Sequence, residues 1–312
     1  MTSAQVPTYD DVRAAAELIG SRVRRTPVVM TGGGVGSVVL KLELLQHSGS
    51  FKARGAFHSV LSVPETPAAL VAASGGNHGL AVAHAGNALG IATRIFVPTT
   101  APAMKVSAIA ALGAQVDQVG ATYAEALEAS LEAAAAQGVL ALHAYDSWGT
   151  VTGQGTLGLE LAEQVPDVDT VLVAVGGGGL MAGVTTALAG ALPGVKVVGV
   201  EPELCPALRD ALAADGPVEV SVGGVAADAL GASRLGEIAF SVARSHDVAS
   251  VVVTDEEIVR ARRALWRDLR LAPEPGGATA FAALLGGGYR PAPGERVCVI
   301  VCGANADPSG LG

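Results

Sequence analysis

From Thr170 to Ala191 the chain reads TVLVAVGGGGLMAGVTTALAGA. A mostly β-branched run that suits a buried strand meets four consecutive glycines, then an alanine-rich stretch that suits a helix. Strand, tight turn and helix in that order form the unit of a parallel sheet, because parallel neighbours need a long crossover between them. The uncharged run from Thr170 to Val195 is also long enough to cross a bilayer. The tetrad cuts it and Pro193 ends it, so the strand-turn-helix reading replaces a membrane span.

The alternation continues on both sides of this unit. Before it come a helix over 10–20, a strand over Val38 to Leu42, and a regular block from residue 71. That block reads VAAS as strand, Asn77 to Leu89 as helix, IATRIFVP as strand, Pro102 to Leu112 as helix, AQVDQVG as strand, Thr122 to Gln137 as helix and VLALHAY as strand. A second block holds a helix from Gly155 to Gln164, the tetrad unit, strand KVVGVEP, a helix after Pro206, strand SVVVT, a helix from Thr254, a helix from Gly276 to Leu285 and strand RVCVIV. Thr254 and Glu257 have the spacing of a capping box. GGGVG at Gly32 to Gly36 precedes no apolar helix and reads as a hairpin loop. The fold class is therefore α/β, with two doubly wound, mainly parallel-sheet domains and a cleft between them. Residues 66–146 are expected to form the smaller domain, and 1–65 with 147–312 the larger.

Charge and cysteine usage narrow the partners. The net charge is −9 with no basic stripe, which disfavours nucleic acid and anionic membranes. Cys205, Cys298 and Cys302 show no metal-ligand spacing and suit a reducing compartment, so a cytoplasmic location is expected. The N-terminus lacks a basic region followed by an apolar run, and no signal peptide is read there.

Three motifs carry chemistry. The chain has only four lysines against sixteen arginines, yet Lys52 sits in SFKARGA among mostly apolar neighbours. A lysine amine can lose its proton when desolvated and attack a carbonyl, which a guanidinium cannot do. The tetrad Gly176 to Gly179 can present backbone N–H groups to an anion at a helix N-terminus, or can simply make a tight turn. SGGNHG, from Ser74 to Gly79, can hold a carboxylate through Ser74, Asn77 and backbone donors, or can cap a helix. His78 reads as a general base or as a packing residue. Cys302 ends an apolar strand where α/β ligands bind, or is a core hydrophobe.

Taken in order, KLELLQHSGSFKARGA, AASGGNHG, VPTTAPAMK, GQGTLGLE, VGGGGLMAG, GVEPE, EPGGATAFAAL and VCGAN resemble the serine/threonine dehydratase family of fold-type II pyridoxal-phosphate enzymes, over nearly the whole chain. The resemblance implies pyridoxal 5'-phosphate as cofactor, in the cleft between the two domains. It makes Lys52 the lysine that bonds to the cofactor aldehyde and later serves as base. It places Phe51 against the cofactor ring and Asn77 on the ring hydroxyl. Gly176, Gly177, Gly178, Gly179 and Leu180 would hold the phosphate, and Cys302 would face the pyridine nitrogen. Ser74, Gly75, Gly76, Asn77 and His78 would bind the substrate carboxylate, with the His78 side chain pointing away from the cofactor. The implied activity is loss of water from L-serine or L-threonine, giving a 2-oxo acid and ammonia, in a homodimer. Alternatives within the same resemblance are a 3-hydroxyaspartate ammonia-lyase, a serine racemase and a non-catalytic cofactor-binding protein.

Two positions depart from family patterns. Racemases carry a serine where this chain has Gly75, which removes the acid for the second face. Relatives with a divalent cation pair a glutamate in the GVEP strand with an acid six residues on. Here Glu201 is present but the later position is Ala207, so at most a weakly held monovalent or divalent cation is expected at Glu201. The chain stops soon after VCGAN, and no C-terminal regulatory domain is expected.

Overall fold

Among the described residues ten strands form two sheets, and helices join the parallel neighbours as the alternation requires. The computed structural model describes residues 5–31 and 38–311. In chain order the strands are β1 (Val28–Met30), β2 (Val39–Lys41), β3 (Ala69–Ala73), β4 (Ala92–Val97), β5 (Gln115–Gln118), β6 (Val139–Ala141), β7 (Thr170–Ala174), β8 (Lys196–Pro202), β9 (Ala249–Val253) and β10 (Val297–Ile300). The larger sheet runs β1-β2-β10-β7-β8-β9, and the smaller runs β5-β4-β3-β6. Only the β1–β2 pair is antiparallel. β7 and β10 are buried along their whole length, which is why both read as continuous apolar runs.

Most elements lie within a few residues of the sequence reading, and the capping box at Thr254 and Glu257 is formed. The differences have local causes. The helix read from Gly155 begins at Trp148. Gly153 and Gly155 look like breakers but mark close crossings. A Cβ on Gly155 would lie 2.9 Å from the Gly183 carbonyl, and one on Gly153 would lie 2.6 Å from the Arg54 carbonyl. β6 ends at Ala141 rather than at Tyr145, because the chain turns at His143, whose Nδ1 accepts from the Tyr145 N–H at 3.3 Å and the Asp146 N–H at 2.8 Å. Strand Val28–Met30 and helices Lys52–Leu61, Ala227–Leu230 and Glu237–Ser245 have no counterpart in the sequence reading. The loop Gly32 to Gly36 lies outside the described residues.

Helix Lys52–Leu61 occupies the seam between the two sheets. It packs on helix Asn77–Leu89 from one side and on Trp148–Gln164 from the other. Ala53, Ala56, Phe57 and Val60 join the core under the smaller sheet, although the helix precedes it in sequence. Its polar side is tied down by a buried ionic cluster. Arg54 forks onto Glu43, with Nε 2.5 Å from Oε1 and Nη2 3.0 Å from Oε2, and its Nη1 donates to Glu160 at 2.8 Å. Lys41 Nζ reaches the other Glu160 oxygen at 2.7 Å, the Thr26 carbonyl at 2.8 Å and Gln164 Oε1 at 2.8 Å. Lys41, Glu43 and Arg54 are fully buried. Removing one partner of such a cluster strands a charge in low dielectric. Arg54→Ala should therefore lower the unfolding free energy by about 3–5 kcal/mol, measured by urea denaturation. A loss below about 1 kcal/mol, the range of an exposed pair, would contradict this role.

Candidate active site

The carboxyl ends of β2, β3, β7 and β10 feed the segments that carry the motif residues, where α/β sheets bind ligands. After β2 two short 3₁₀ turns lead to Phe51 and Lys52, with Lys52 the first residue of its helix. After β3 come Ser74 to Gly76 and helix Asn77–Leu89. After β7 come the tetrad and helix Gly179–Ala191. After β10 come Cys302, Gly303 and Asn305.

Lys52 keeps some exposure as a residue, but its amine is surrounded by protein. Nζ donates to the Ala144 carbonyl at 2.6 Å and lies 5.1 Å from the centre of the Phe51 ring. Burial pulls its pKa down to about 8, against the opposing pull of Cys302 and Glu274. A useful fraction is thus neutral near physiological pH. The Phe51 N–H donates to the Cys302 carbonyl at 3.1 Å, which joins the lysine segment to the end of β10. The Cys302 thiol is buried, points to the Gly276 carbonyl at 3.7 Å, and is held protonated by that burial.

Helix starts in this fold are of capped and uncapped kinds, and both glycine loops lead into uncapped ones. The helices beginning at Tyr9, Tyr123, Trp148 and Asp255 are each closed by a threonine or serine side chain. Those beginning at Asn77 and Gly179 follow a glycine and receive no side-chain cap. Their first N–H groups have no intrahelical partner by construction, and the helix dipole favours an anion there. Capping by Ser74 or Asn77 is therefore not what the SGGNHG segment does. Ser74 Oγ instead accepts from the Gly76 N–H at 3.2 Å, which shapes the turn. Gly178 sits at φ +86°, a conformation that glycine adopts without strain. The tetrad also admits protein neighbours. A Cβ on Gly176 would lie 2.8 Å from the Leu230 carbonyl, and one on Gly177 would run into the Tyr145 ring. Leu180, at the next position of the helix, is buried in the large core.

Two sequence expectations about side chains resolve clearly. His78 is buried and its Nε2–H donates to the Leu142 carbonyl at 3.0 Å, since a carbonyl can only accept. Burial, with Lys52 nearby, holds its pKa at about 3, so it is a neutral packing group and not a base. Gly75 tolerates a Cβ, which would meet only Val97 Cγ1 at 3.7 Å, an ordinary contact. Gly76 faces helix Ala227–Leu230, with a Cβ 3.5 Å from the Asp228 carbonyl.

Glu201 lies apart from this group and is fully buried. Its Oε1 accepts from the Leu208 N–H at 2.6 Å, and its Oε2 accepts from the Arg209 N–H at 2.9 Å and from Ser250 Oγ at 2.8 Å. It closes helix Ala207–Ala214, and burial pushes its carboxyl up to about 7. Among the described residues no group of three or more His, Cys, Asp and Glu side chains could hold a metal ion.

Glu274 and Asn305 carry no role in the sequence reading, although both lie in quoted motifs. Glu274 is buried and accepts from Asn77 Nδ2 at 2.6 Å. Asn305 Nδ2 donates to Asn77 Oδ1 at 2.6 Å and to the Ser48 carbonyl at 2.7 Å. Their position in EPGG and GAN, each at the end of a motif beside a strand or helix terminus, is the only sequence signal for them. The donor set fits pyridoxal phosphate: a desolvated primary amine beside an aromatic ring, an amide with one N–H uncommitted, a neutral thiol, and two uncapped helix N-termini for anionic groups.

Comparison with known proteins agrees with that fit. A family model described as pyridoxal-phosphate dependent enzyme matches residues 19–303. Phenylserine dehydratase of Ralstonia pickettii is 37% identical over 321 residues, which span 98% of this chain and 97% of that protein. L-threonine ammonia-lyase of Thermotoga maritima is 35% identical over 306 residues, spanning 96% of this chain and 76% of that one. Among solved structures, maize serine racemase superposes with a TM-score of 0.92 at 32% identity, covering 97% of this chain and 95% of its own.

The lowered lysine pKa has a direct readout. Only the neutral amine attacks a carbonyl, so condensation of Lys52 with a small aldehyde in cofactor-free protein should rise about tenfold per pH unit at low pH and level off near its lowered pKa of about 8. Reductive trapping with peptide mapping isolates this lysine from the other three. A midpoint above about 10, the ordinary lysine range, would show that the amine is solvated.

Proposed function

Because the chain belongs to the pyridoxal-phosphate-dependent enzymes, we propose that it is an ammonia-lyase that eliminates water from L-threonine or L-serine and releases a 2-oxo acid and ammonia. The observation that carries this reading is the buried, readily deprotonated amine of Lys52, set between the Phe51 ring and the Ala144 carbonyl beside two uncapped helix starts. Pyridoxal phosphate, when bound, supplies an electron sink for negative charge at the substrate α-carbon.

The residues then divide the work. Gly176, Gly177, Gly178, Gly179 and Leu180 hold the phosphate through backbone N–H groups. Ser74, Gly75, Gly76, Asn77 and His78 hold the substrate carboxylate at the start of helix Asn77–Leu89, with His78 contributing backbone and not its ring. Phe51 packs on the cofactor ring, and Asn77 donates to the ring oxygen. Lys52 Nζ takes the α-proton, and the β-hydroxyl departs as water carrying that proton, which returns Lys52 to the neutral amine. Hydrolysis of the released enamine gives the 2-oxo acid and ammonia. The Cys302 thiol, a weak donor held neutral by burial, would face the pyridine nitrogen of the bound cofactor, which would favour prompt elimination over a long-lived carbanion.

The cleft lies between a smaller unit, residues 66–146 around β3 to β6, and a larger one made of 1–65 and 147–312. The enzyme works as a cytoplasmic homodimer, a reading supported by three free cysteines for the compartment and by the family resemblance for the dimer. Glu201 requires no cation, since helix N–H groups and Ser250 already satisfy its oxygens.

A screen for ammonia and 2-oxo acid release over β-hydroxy amino acids tests the whole assignment. L-threonine or L-serine should be turned over with and without EDTA, and Lys52→Ala should abolish both products and the visible absorbance of the bound cofactor. Normal turnover by Lys52→Ala would sink the proposal. Complete loss with EDTA, restored by magnesium, would overturn the cation part alone.

Gly75 separates lyase from racemase. A glycine cannot deliver a proton to the substrate face opposite Lys52, so L-serine should give pyruvate with little D-serine by chiral chromatography. A Cβ at position 75 would meet only an ordinary contact with Val97, and Gly75→Ser should raise the D-serine fraction. D-serine formed by the wild type as fast as pyruvate would show that another group serves that face.

A further inference from the structure

The Asn77 amide is locked in one of its two orientations. Its Oδ1 accepts from Asn305 Nδ2 and its Nδ2 donates to Glu274 Oε1, both at 2.6 Å. A half-turn of the amide would set its oxygen against the Glu274 oxygen and its NH2 against the Asn305 NH2. Both contacts would then be repulsive, in a buried site where unpaired polar groups are costly. The locking groups are themselves fixed. Asn305 is anchored to the Ser48 carbonyl at 2.7 Å, and the Glu274 N–H donates to the Gly303 carbonyl at 3.1 Å. The Asn305 backbone N–H bonds to the Glu274 carboxylate as well. Gly303 leaves room for that carboxylate, because a Cβ there would run into Glu274 Oε1. The lock also crosses the fold: Asn77 starts a helix of the smaller sheet, while Ser48, Glu274 and Asn305 belong to segments around the larger one.

Of the two Asn77 N–H bonds, one is taken by Glu274. No protein acceptor takes the other among the described residues. We propose that Glu274, with Asn305, is a positioning residue that holds Asn77 with a donor, not an acceptor, facing the cofactor. This rests on the cofactor site proposed above. Glu274 is pushed up to about 7 by burial, and in either protonation state an oxygen remains to accept from Asn77. Its role is to orient; it is not assigned a proton transfer.

The test is a double-mutant cycle read as pyridoxal-phosphate dissociation from the full chain, by absorbance and fluorescence titration. Glu274→Gln keeps the shape but offers one acceptor to two donors, and Asn77→Ala removes the oriented group. Each should weaken binding about tenfold or more, and the double variant should be no weaker than Asn77→Ala, because Glu274 acts through Asn77. Glu274→Gln should also shift the absorbance maximum of the bound cofactor while leaving the melting temperature of the cofactor-free protein unchanged. Wild-type affinity in Glu274→Gln, or penalties that multiply in the double variant, would overturn the proposal. Should Glu274→Gln fail to fold, the cycle of Asn305→Ala with Asn77→Ala decides by the same criteria. A multiplicative cycle alongside an inactive Lys52→Ala removes only this inference. An active Lys52→Ala removes the functional reading beneath it.

Discussion

Arg54 sits two residues beyond Lys52 and is the fixed point of the molecule. Its guanidinium is held by Glu43, on the turn after β2, and by Glu160, on helix Trp148–Gln164. Lys41 closes the cluster from β2 itself. A planar fork in a dry setting permits one geometry, whereas apolar contacts alone would let the short helix slide or roll. The same helix carries Phe57 and Val60 into the core under the smaller sheet. Placement of the Lys52 amine thus depends on a charge cluster behind it, and both sheets are referenced to one element. The cost is a set of ions taken out of water, tolerable because nearly every donor and acceptor in the cluster is matched.

The site uses the opposite economy at its glycine loops. The helices beginning at Tyr9, Tyr123, Trp148 and Asp255 start with threonine or serine caps, which satisfy the first N–H groups internally. At Asn77 and Gly179 that closure is absent, so the donors stay available to anions. Desolvation acts in the same direction on side chains. It lowers the Lys52 pKa, keeps His78 neutral and keeps Cys302 protonated. Local stability is given up at two helix starts and one amine, which are the places where a ligand can restore it.

What could be read from the chain itself was whatever chemistry is contiguous. Strand, glycine turn and helix at residues 170–191, the turn at SGGNHG and the odd lysine of SFKARGA are local patterns, because backbone geometry and N–H presentation depend on neighbouring residues. The α/β class followed from the same alternation. One misread boundary shows the limit of local reading: the helix read from Gly155 begins at Trp148, and its glycines stand where Arg54, Gly55 and Gly183 approach too closely for any side chain. Glu201 reads by motif as at most a weak cation ligand, and in the fold its oxygens accept from the helix that follows and from Ser250.

The sequence by itself determined the fold class, which rests on periodicity, and its ordered short motifs carried the resemblance that implies the cofactor. Only the tertiary structure decided which way Asn77 presents its amide. Its partners Glu274 and Asn305 lie 197 and 228 positions along the chain, and an amide's orientation is fixed by what faces it in space, not by what flanks it in sequence.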